Sequence, residues 1–235
     1  MRYFISDLHF GHYYNGRGII TFERTQFKTI EEHDNYIENI IKELCDKLKP
    51  NDEVWNLGDF GSLTKLYTVD WIKATGAKAY FLYGNHDRQS DLSQFEHYFD
   101  QVFLYPIFLS QKLVISHYPV AVWPDTINVC GHLHGAKLQT SNYICASIHV
   151  ANYHPITDRH LDSVFAKLPN FNRRFLYEPW ANDYQFIQPK EDVIMDYDGN
   201  IDLSASRLLQ KLNADRHLLE GLGYLPYHGK GNFND

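Results

Sequence analysis

Histidine, aspartate and asparagine side chains follow several apolar runs of this sequence, at positions where loops commonly carry chemistry. The stretch FLYGNHDR, residues 81–88, leaves an apolar run at Gly84 and then places Asn85, His86 and Asp87 in succession. Other apolar runs lead into SDLHFGH, LGDFG, SHYP and GHLHG. Together these stretches supply the following candidate site residues: Asp7, His9, Asp59, Asn85, His86, His117, His132 and His134.

Imidazole nitrogen with carboxylate and amide oxygen, and without thiolate, is typical of ligands to manganese, iron, cobalt, nickel or zinc in high coordination. Loops at the carboxyl ends of strands converge on one crevice in a layered α/β domain, so these groups are expected to meet. Even without His86, the candidate side chains offer more ligands than one metal ion requires. Two ions ~3.5–4 Å apart that share a bridging carboxylate would use them all, and such a pair clamps the oxygens in phosphoryl displacement.

Each stretch read alone has a simpler explanation. A lone histidine such as His117 is more often a core or surface residue, Asp7 and His9 fit a capped turn, and Asp59 fits a helix N-cap. GNHD and GHLHG are more specific, because glycine lets the backbone approach a ligand and an extended H-x-H directs both rings to one side. The ordered occurrence of all these stretches favours a metal site.

Alternating strands and helices must position these residues. Short apolar runs with β-branched and aromatic content predict buried strands at residues 2–6, 53–58, 79–84, 112–116 and 127–131. Between the first two strands, apolar residues recur at helical spacing from Ile30 to Leu48, Thr29 and Glu32 can form a capping box, and Pro50 closes the segment. Weaker helical patterns cover 62–75 and 157–168. The alternation indicates an α/β layered domain.

Composition and charge argue against several classes of protein. The 235 residues are 44% hydrophobic, which suffices for one sizeable core, and the net charge of -7 supplies no basic patch for long nucleic acid. The cysteines, Cys45, Cys130 and Cys145, lack CxxC spacing, which indicates free thiols in a reducing compartment. The amino terminus reaches Asp7 too early for a signal peptide or a membrane span, so we expect a cytoplasmic protein.

The order D-x-H, GD, GNHD, H and GHxH resembles the calcineurin-like metallophosphoesterases. The resemblance spans roughly residues 1 to 165 and includes ASIHVANYHPIT, which is similar to the closing strand and turn of small bacterial and phage members. It implies a four-layer αββα sandwich of two mixed β-sheets flanked by helices, with a binuclear site at the sheet edges. It also implies a phosphodiesterase or phosphatase that hydrolyses its ester by attack of a hydroxide bridging two divalent ions, manganese first among the candidates.

The resemblance further implies a role for each residue. Two sets of ligands, one for each metal, share Asp59 as the bridge: Asp7, His9, Asp59 and His134, and Asp59, Asn85, His117 and His132. His86 matches the position that faces the leaving group as a proton donor or charge stabiliser, with a ligand role as the main alternative. Asp87 fits either a residue that orients His86 or a neighbouring backbone amide, or a structural turn.

The substrate is less well defined by the sequence. His12, Arg24 and Arg88 are the nearest candidates for contacts to a phosphate or nucleotide, although a solvated-surface role competes for each, most strongly for Arg24. Aromatic residues at 175–187 fit either base stacking or packing. A small phosphorylated, nucleotide-like substrate is therefore expected. The alternative is a non-catalytic interaction module on the same fold, a branch in which the ligand positions have degenerated. Oligomeric state is left open.

The composition changes after Leu168 to a segment rich in asparagine, proline and aromatic residues, followed by an amphipathic stretch at 204–223. We interpret residues 1–168 as the catalytic domain and 169–235 as a carboxy-terminal extension or cap.

Truncation after residue 168 should therefore leave a chain that still binds metal, because every proposed ligand lies before that point. The substrate range should change more than the metal affinity. Metal titration of the truncated and full-length chains tests this, and an insoluble or metal-free truncated protein would show that residues 169–235 complete the core.

Overall fold

The apolar runs form the strands of two sheets in a computed structural model that describes residues 1–123, 125–134 and 142–168. The first half of the chain contains β1 (Arg2–Ile5), β2 (Tyr13–Tyr14), β3 (Arg17–Gly18), α1 (Ile19–Phe22), α2 (Ile30–Cys45), β4 (Glu53–Asn56), α3 (Tyr67–Ala74), β5 (Lys78–Leu82) and α4 (Leu92–Tyr98). The second half contains β6 (Gln101–Phe103), β7 (Ile107–Ser110), β8 (Leu113–Ser116), β9 (Ile127–Cys130), β10 (Tyr143–Cys145), β11 (Ile156–Thr157) and α5 (Asp158–Phe165). Single 3₁₀ turns cover Leu63–Lys65 and Gln89–Asp91.

Both large sheets are mixed. The first has the order β11-β1-β4-β5-β6, in which β1, β4, β5 and β6 run parallel and β11 pairs antiparallel with β1. The second has the order β10-β9-β8-β7, in which only β7 is antiparallel to its neighbour. Parallel neighbours end at the same sheet edge, so the loops after β1, β4 and β5 start side by side.

Two apolar cores lie on the two faces of the first sheet. One core joins the sheets, with Phe4 and Trp55 from the first sheet packed with Ile115 and Val129 from the second. The other core packs the opposite face of the first sheet, through residues such as Phe81, against α2, α3 and α4. This arrangement of helices and two stacked mixed sheets is the α/β sandwich expected from the sequence.

The helix between the first two predicted strands is confirmed as α2. The Thr29 hydroxyl accepts a hydrogen bond from the backbone amide of Glu32 at 3.0 Å, as an N-cap residue does. The weaker patterns correspond to α3 and α5. The patterns did not predict the short elements α1, α4, β2, β3, β6, β7, β10 and β11, although β11 lies in the ASIHVANYHPIT stretch that resembles a closing strand and turn. The segments at 169–235, 175–187 and 204–223 lie outside the described residues.

No helix in the described part of the chain is long and apolar enough to cross a membrane.

Phe81 is the aromatic centre of the helix-side core, fully buried and stacked on Phe95 with ring centroids 4.3 Å apart. Phe81→Ala should lower the free energy of unfolding by about 3–5 kcal/mol, because it removes buried area and leaves a cavity. Tyr14→Ala, at a side chain that is 78% exposed, is the control and should change stability by less than about 0.5 kcal/mol. Urea denaturation measures both; equal losses would contradict this description of the core.

Candidate metal centre

Loops that follow five strands converge at one edge of the two sheets. Asp7 and His9 follow β1, Asp59 follows β4, and Asn85 follows β5. The second sheet contributes His117 after β8, and His132 with His134 after β9. The backbone amide of His132 donates to both carboxylate oxygens of Asp7, at 3.0 and 3.2 Å, which joins the two sheets at the site.

A first group of potential ligands consists of Asp7, His9, Asp59 and His134, with one donor atom of each within 4.8 Å of all the others. His9 Nε2 lies 3.1 Å from His134 Nε2 and 3.5 Å from Asp59 Oδ2. His134 Nε2 lies 3.3 Å from Asp7 Oδ1. The convergence of two imidazole nitrogens and two carboxylates suits a divalent transition metal.

A second group lies on the other side of Asp59. Asn85 Oδ1 is 2.9 Å from His117 Nε2 and 3.0 Å from His132 Nδ1. His117 Nε2 is 3.5 Å from Asp59 Oδ2, the same distance that separates this oxygen from His9 Nε2. Asp59 therefore lies between the two groups.

The carboxylate of Asp59 has one held oxygen and one without a partner. The backbone amide of His86 donates to Oδ1 at 2.8 Å. Oδ2 is buried and has no hydrogen-bond partner in the described structure. Because a buried carboxylate oxygen without a partner carries a desolvation cost, this atom fits a position that a cation would satisfy.

Hydrogen bonds orient two of the potential ligands. His117 Nδ1 donates to the carbonyl of Leu57 at 2.8 Å, so in the neutral ring the lone pair is on Nε2, the nitrogen that faces Asp59 and Asn85. His9 Nδ1 lies 2.9 Å from His12 Nδ1, so His9 also presents Nε2 to the first group. Both rings are thus held with Nε2 directed into the site.

Four of the potential ligands adopt a backbone conformation that side chains rarely take. Asp7, His9, Asp59 and His132 have φ values of 58°, 53°, 55° and 65°. A non-glycine residue in the left-handed region carries a conformational cost and concentrates at functional sites. The loops therefore turn sharply at the residues whose side chains face the site.

Two glycines permit the close approach of these loops. A Cβ atom on Gly84 would lie 2.2 Å from Asp59 Oδ1, and one on Gly131 would lie 2.0 Å from the Ser6 hydroxyl and 2.8 Å from Asp7 Oδ2. A larger residue at Gly84 of GNHD or at Gly131 of GHLHG would clash with a neighbouring loop, which agrees with the close approach inferred from the sequence.

Burial and mutual charge set the protonation of the site. Burial raises the pKa of Asp59 to about 7, whereas the nearby imidazoles of His9, His117 and His134 outweigh burial and hold the pKa of Asp7 well below its usual range. Burial lowers the pKa of His134 to about 3 and also lowers that of His9. Neutral imidazoles with free lone pairs are the form that binds a metal.

His86 and His12 lie at the exposed side of the ligands. Their ring centroids are 4.5 Å apart, and that of His86 is 5.2 Å from His9. The walls of the site partly desolvate both rings, which lowers the pKa of each, although His86 stays exposed to solvent. These two imidazoles are thus available to a molecule that enters the site.

Asp87 binds backbone amides of two loops. Its carboxylate accepts from Asp59 and Gly84 at 2.8 Å and from Phe60 at 3.0 Å. Of the roles that the sequence left open for Asp87, the structure shows contacts to neighbouring amides, including that of Asp59.

The remaining sequence candidates have different surroundings. Arg88 is exposed directly after GNHD, at the start of the 3₁₀ turn at Gln89–Asp91. Arg24 has no exposed surface, which differs from the solvated role that competed for it and from a contact with substrate. Its guanidinium donates to the backbone carbonyls of Asp7 and Leu8 behind the first loop.

Sequence reasoning missed residues that hold the loops from behind. His33 and Asp34 are buried on α2, and the Asp34 carboxylate accepts from the backbone amide of Gly11. His149 Nε2 donates to the carbonyl of His134 at 2.9 Å. The sequence did contain one indication of His33 and Asp34, because a histidine and a charged residue lie there on the apolar face of the helix that contains Ile37 and Ile41.

Comparison with known proteins places these features in context. The sequence profile of the family described as "Calcineurin-like phosphoesterase" matches residues 3–216. The match passes residue 168, and the domain boundary proposed there stays a prediction. A similar solved structure is that of a protein of unknown function from Aquifex aeolicus, with 25% identity, a TM-score of 0.50, and coverage of 70% of this chain and 98% of that one. No curated protein gives a significant match.

Asp59→Asn should be among the most damaging single changes to metal binding, because it weakens the ligand that faces both groups. Manganese at 100 times its dissociation constant should stabilise the wild type against unfolding by about 2.7 kcal/mol, and the variant should lose most of this gain. Elemental analysis and thermal unfolding with and without Mn²⁺ measure the effect, with exposed Asp46→Asn as the matched control. Two tightly held metals in Asp59→Asn would refute the bridging role.

Proposed function

The chain belongs to the calcineurin-like phosphoesterase family, and from this premise we propose that it is a hydrolase of phosphodiester or phosphomonoester bonds that uses two divalent metal ions. The observation that carries the proposal is the buried, unpartnered Oδ2 of Asp59, 3.5 Å from both His9 Nε2 and His117 Nε2. One carboxylate oxygen equidistant from two ligand groups is suited to bridging two ions.

We assign the ligands of one ion to Asp7, His9, Asp59 and His134, and those of the other to Asp59, Asn85, His117 and His132. Manganese is the first choice, with iron, zinc, nickel and cobalt as alternatives, because histidine with oxygen ligands accommodates all of them. When bound, the ions supply Lewis-acid activation of water and neutralisation of charge on the phosphoryl group.

The side chains at the exposed edge have their own tasks in this proposal. His86 donates an N–H to the oxygen of the leaving group as the ester bond breaks, which is the role of a general acid. Its pKa is lowered by partial burial, with a contribution from His12, and the negative charge of a phosphoester would act in the opposite direction and favour the imidazolium. The backbone amide of His86 meanwhile keeps Asp59 Oδ1 in place.

A small, nucleotide-like phosphoester is the proposed substrate. His12 and Arg88 stand near His86 at the exposed edge and are suited to a non-reacting phosphate or sugar. Tyr13 and Tyr14 follow His12 and are 42% and 78% exposed, and such aromatic faces stack on bases. The net charge of -7 disfavours long duplexes.

The location proposed for this activity is the cytoplasm. Support comes from the free cysteines Cys45, Cys130 and Cys145, which fit a reducing compartment.

The experiment that tests the proposal is release of p-nitrophenol from bis-p-nitrophenyl phosphate and from the monoester, with and without added Mn²⁺. We expect the protein to hydrolyse at least one of the two esters, and we expect this hydrolysis to require Mn²⁺. A protein with verified bound metal that hydrolyses neither would instead favour a non-catalytic interaction module. A panel of cyclic mononucleotides, cyclic dinucleotides, nucleoside phosphates and short single strands then ranks the substrates.

His86→Asn should slow esters with alkoxide leaving groups by ~10²–10⁴-fold, and p-nitrophenyl esters much less, because p-nitrophenolate departs without a proton. The metal content should stay at the wild-type level. Rates against leaving-group pKa, with exposed His97→Asn as the control, measure this selectivity. An equal loss for all leaving groups together with a missing metal would make His86 a ligand and not the acid.

A further inference from the structure

Arg24 is a fully buried cation behind the loop that contains Asp7 and His9. Nη2 donates to the carbonyl of Asp7, and Nη1 donates to the carbonyl of Leu8 at 3.1 Å. These two carbonyls belong to the turn that forces Asp7 and His9 into the left-handed region. One planar guanidinium thus holds two consecutive peptides of a strained loop.

The other two terminal N–H groups of Arg24 point at histidines. Nη1 lies 2.6 Å from His33 Nε2, and Nη2 lies 3.3 Å from His149 Nδ1. Since a guanidinium can only donate, both ring nitrogens must be acceptors, so both imidazoles are neutral. A second positive charge is thereby avoided beside a cation whose pKa burial has already lowered to about 10.

Each histidine also takes part in hydrogen bonds that reach a loop of the site. His33 Nδ1 donates to Asp34 Oδ1 at 2.9 Å, and the Asp34 carboxylate accepts from the amide of Gly11 at 3.0 and 3.1 Å. His149 Nε2 donates to the carbonyl of His134 at 2.9 Å. The chain of hydrogen bonds therefore reaches both ends of the first loop and the loop after β9.

We propose that Arg24, through His33 with Asp34 and through His149, is a positioning residue that sets the separation of His9 and His134 and so the metal affinity of the first ligand group. The inference rests on the proposed metal site. Four terminal N–H groups engage four acceptors in a fixed fork, so the shape of the guanidinium matters as well as its charge.

Arg24→Lys keeps the charge and removes the fork, because an ammonium has three donors without a planar arrangement. Isothermal titration with Mn²⁺ should show affinity reduced by about 10–100-fold, the usual effect of losing a partner that orients a ligand. Arg159→Lys, at an exposed position on α5, is the matched control and should bind Mn²⁺ like the wild type. A folded Arg24→Lys protein with wild-type affinity would overturn the inference.

His33 provides a second test if Arg24→Lys fails to fold. Glutamine can accept from Arg24 and donate to Asp34, whereas alanine can do neither. His33→Gln should therefore retain most of the Mn²⁺ affinity that His33→Ala loses. Equal affinities for the two variants would contradict a hydrogen-bonded relay and would leave only a packing role for His33.

A metal-free measurement separates this inference from the proposed function. In ¹H–¹⁵N spectra of the metal-free protein, the backbone amides of His9, Gly11 and His132 should shift in Arg24→Lys and not in Arg159→Lys. If the wild type binds no Mn²⁺ but these amides shift, the proposed function fails and the positioning role stands. Unshifted amides would overturn the positioning role whatever the metal does.

Discussion

Two carboxylates with no exposed surface, those of Asp7 and Asp59, lie side by side at the ends of neighbouring parallel strands, and the organisation of the site depends on them. Burial raises the pKa of Asp59 to about 7, above its ordinary value in an unfolded chain. The native state therefore holds this proton more tightly, and the stability that this gives is lost as pH rises from the ordinary carboxyl range through about 7. A cation bound between the two carboxylates would offset the unfavourable burial of their negative charges. Metal binding is therefore linked to folding.

Backbone amides donate hydrogen bonds to these buried carboxylates and to that of Asp87. The amide of His132 binds Asp7, the amide of His86 binds Asp59, and Asp87 collects the amides of Asp59 and Gly84. Apart from the Asp87–Gly84 contact, which lies within the loop after β5, these contacts cross between loops, so the loops are not positioned by their own sequences alone. Gly84 and Gly131 allow the loops to approach to distances that a Cβ atom would prevent. The sheets fix the loop ends, and the cross-loop hydrogen bonds fix the rest.

Much of this was readable from the sequence, because short apolar runs followed by polar residues identify buried strands and their carboxyl ends. The five predicted strands appear as β1, β4, β5, β8 and β9, and the long amphipathic pattern appears as α2 with Thr29 at its cap. The periodicity of the sequence did not predict β10 and β11, because they span three and two residues, too few for a repeat to be detected. Their place depends on pairing with β9 and β1, which no local pattern encodes.

Within the site, the residue types pointed to a metal, and all eight candidates lie at the convergent loops. The supporting groups were harder to predict, since contacts to backbone atoms leave no trace in residue type. The sequence made Arg24 a candidate phosphate contact with a solvated surface role as the stronger alternative, and only the fold brings it beneath the carbonyls of Asp7 and Leu8. The left-handed conformation of His9 and Asp59 is similarly imposed by tertiary contacts against local preference.

In the proposed site, the carboxylate of Asp59 bridges two metal ions. Anomalous diffraction from crystals soaked in Mn²⁺ tests it most directly, because the anomalous signal locates each manganese independently of the protein density. We expect two manganese peaks, one beside His9 and His134 and one beside Asn85 and His117, each within coordinating distance of a carboxylate oxygen of Asp59. A single peak, or two peaks of which one has no contact with Asp59, would contradict it.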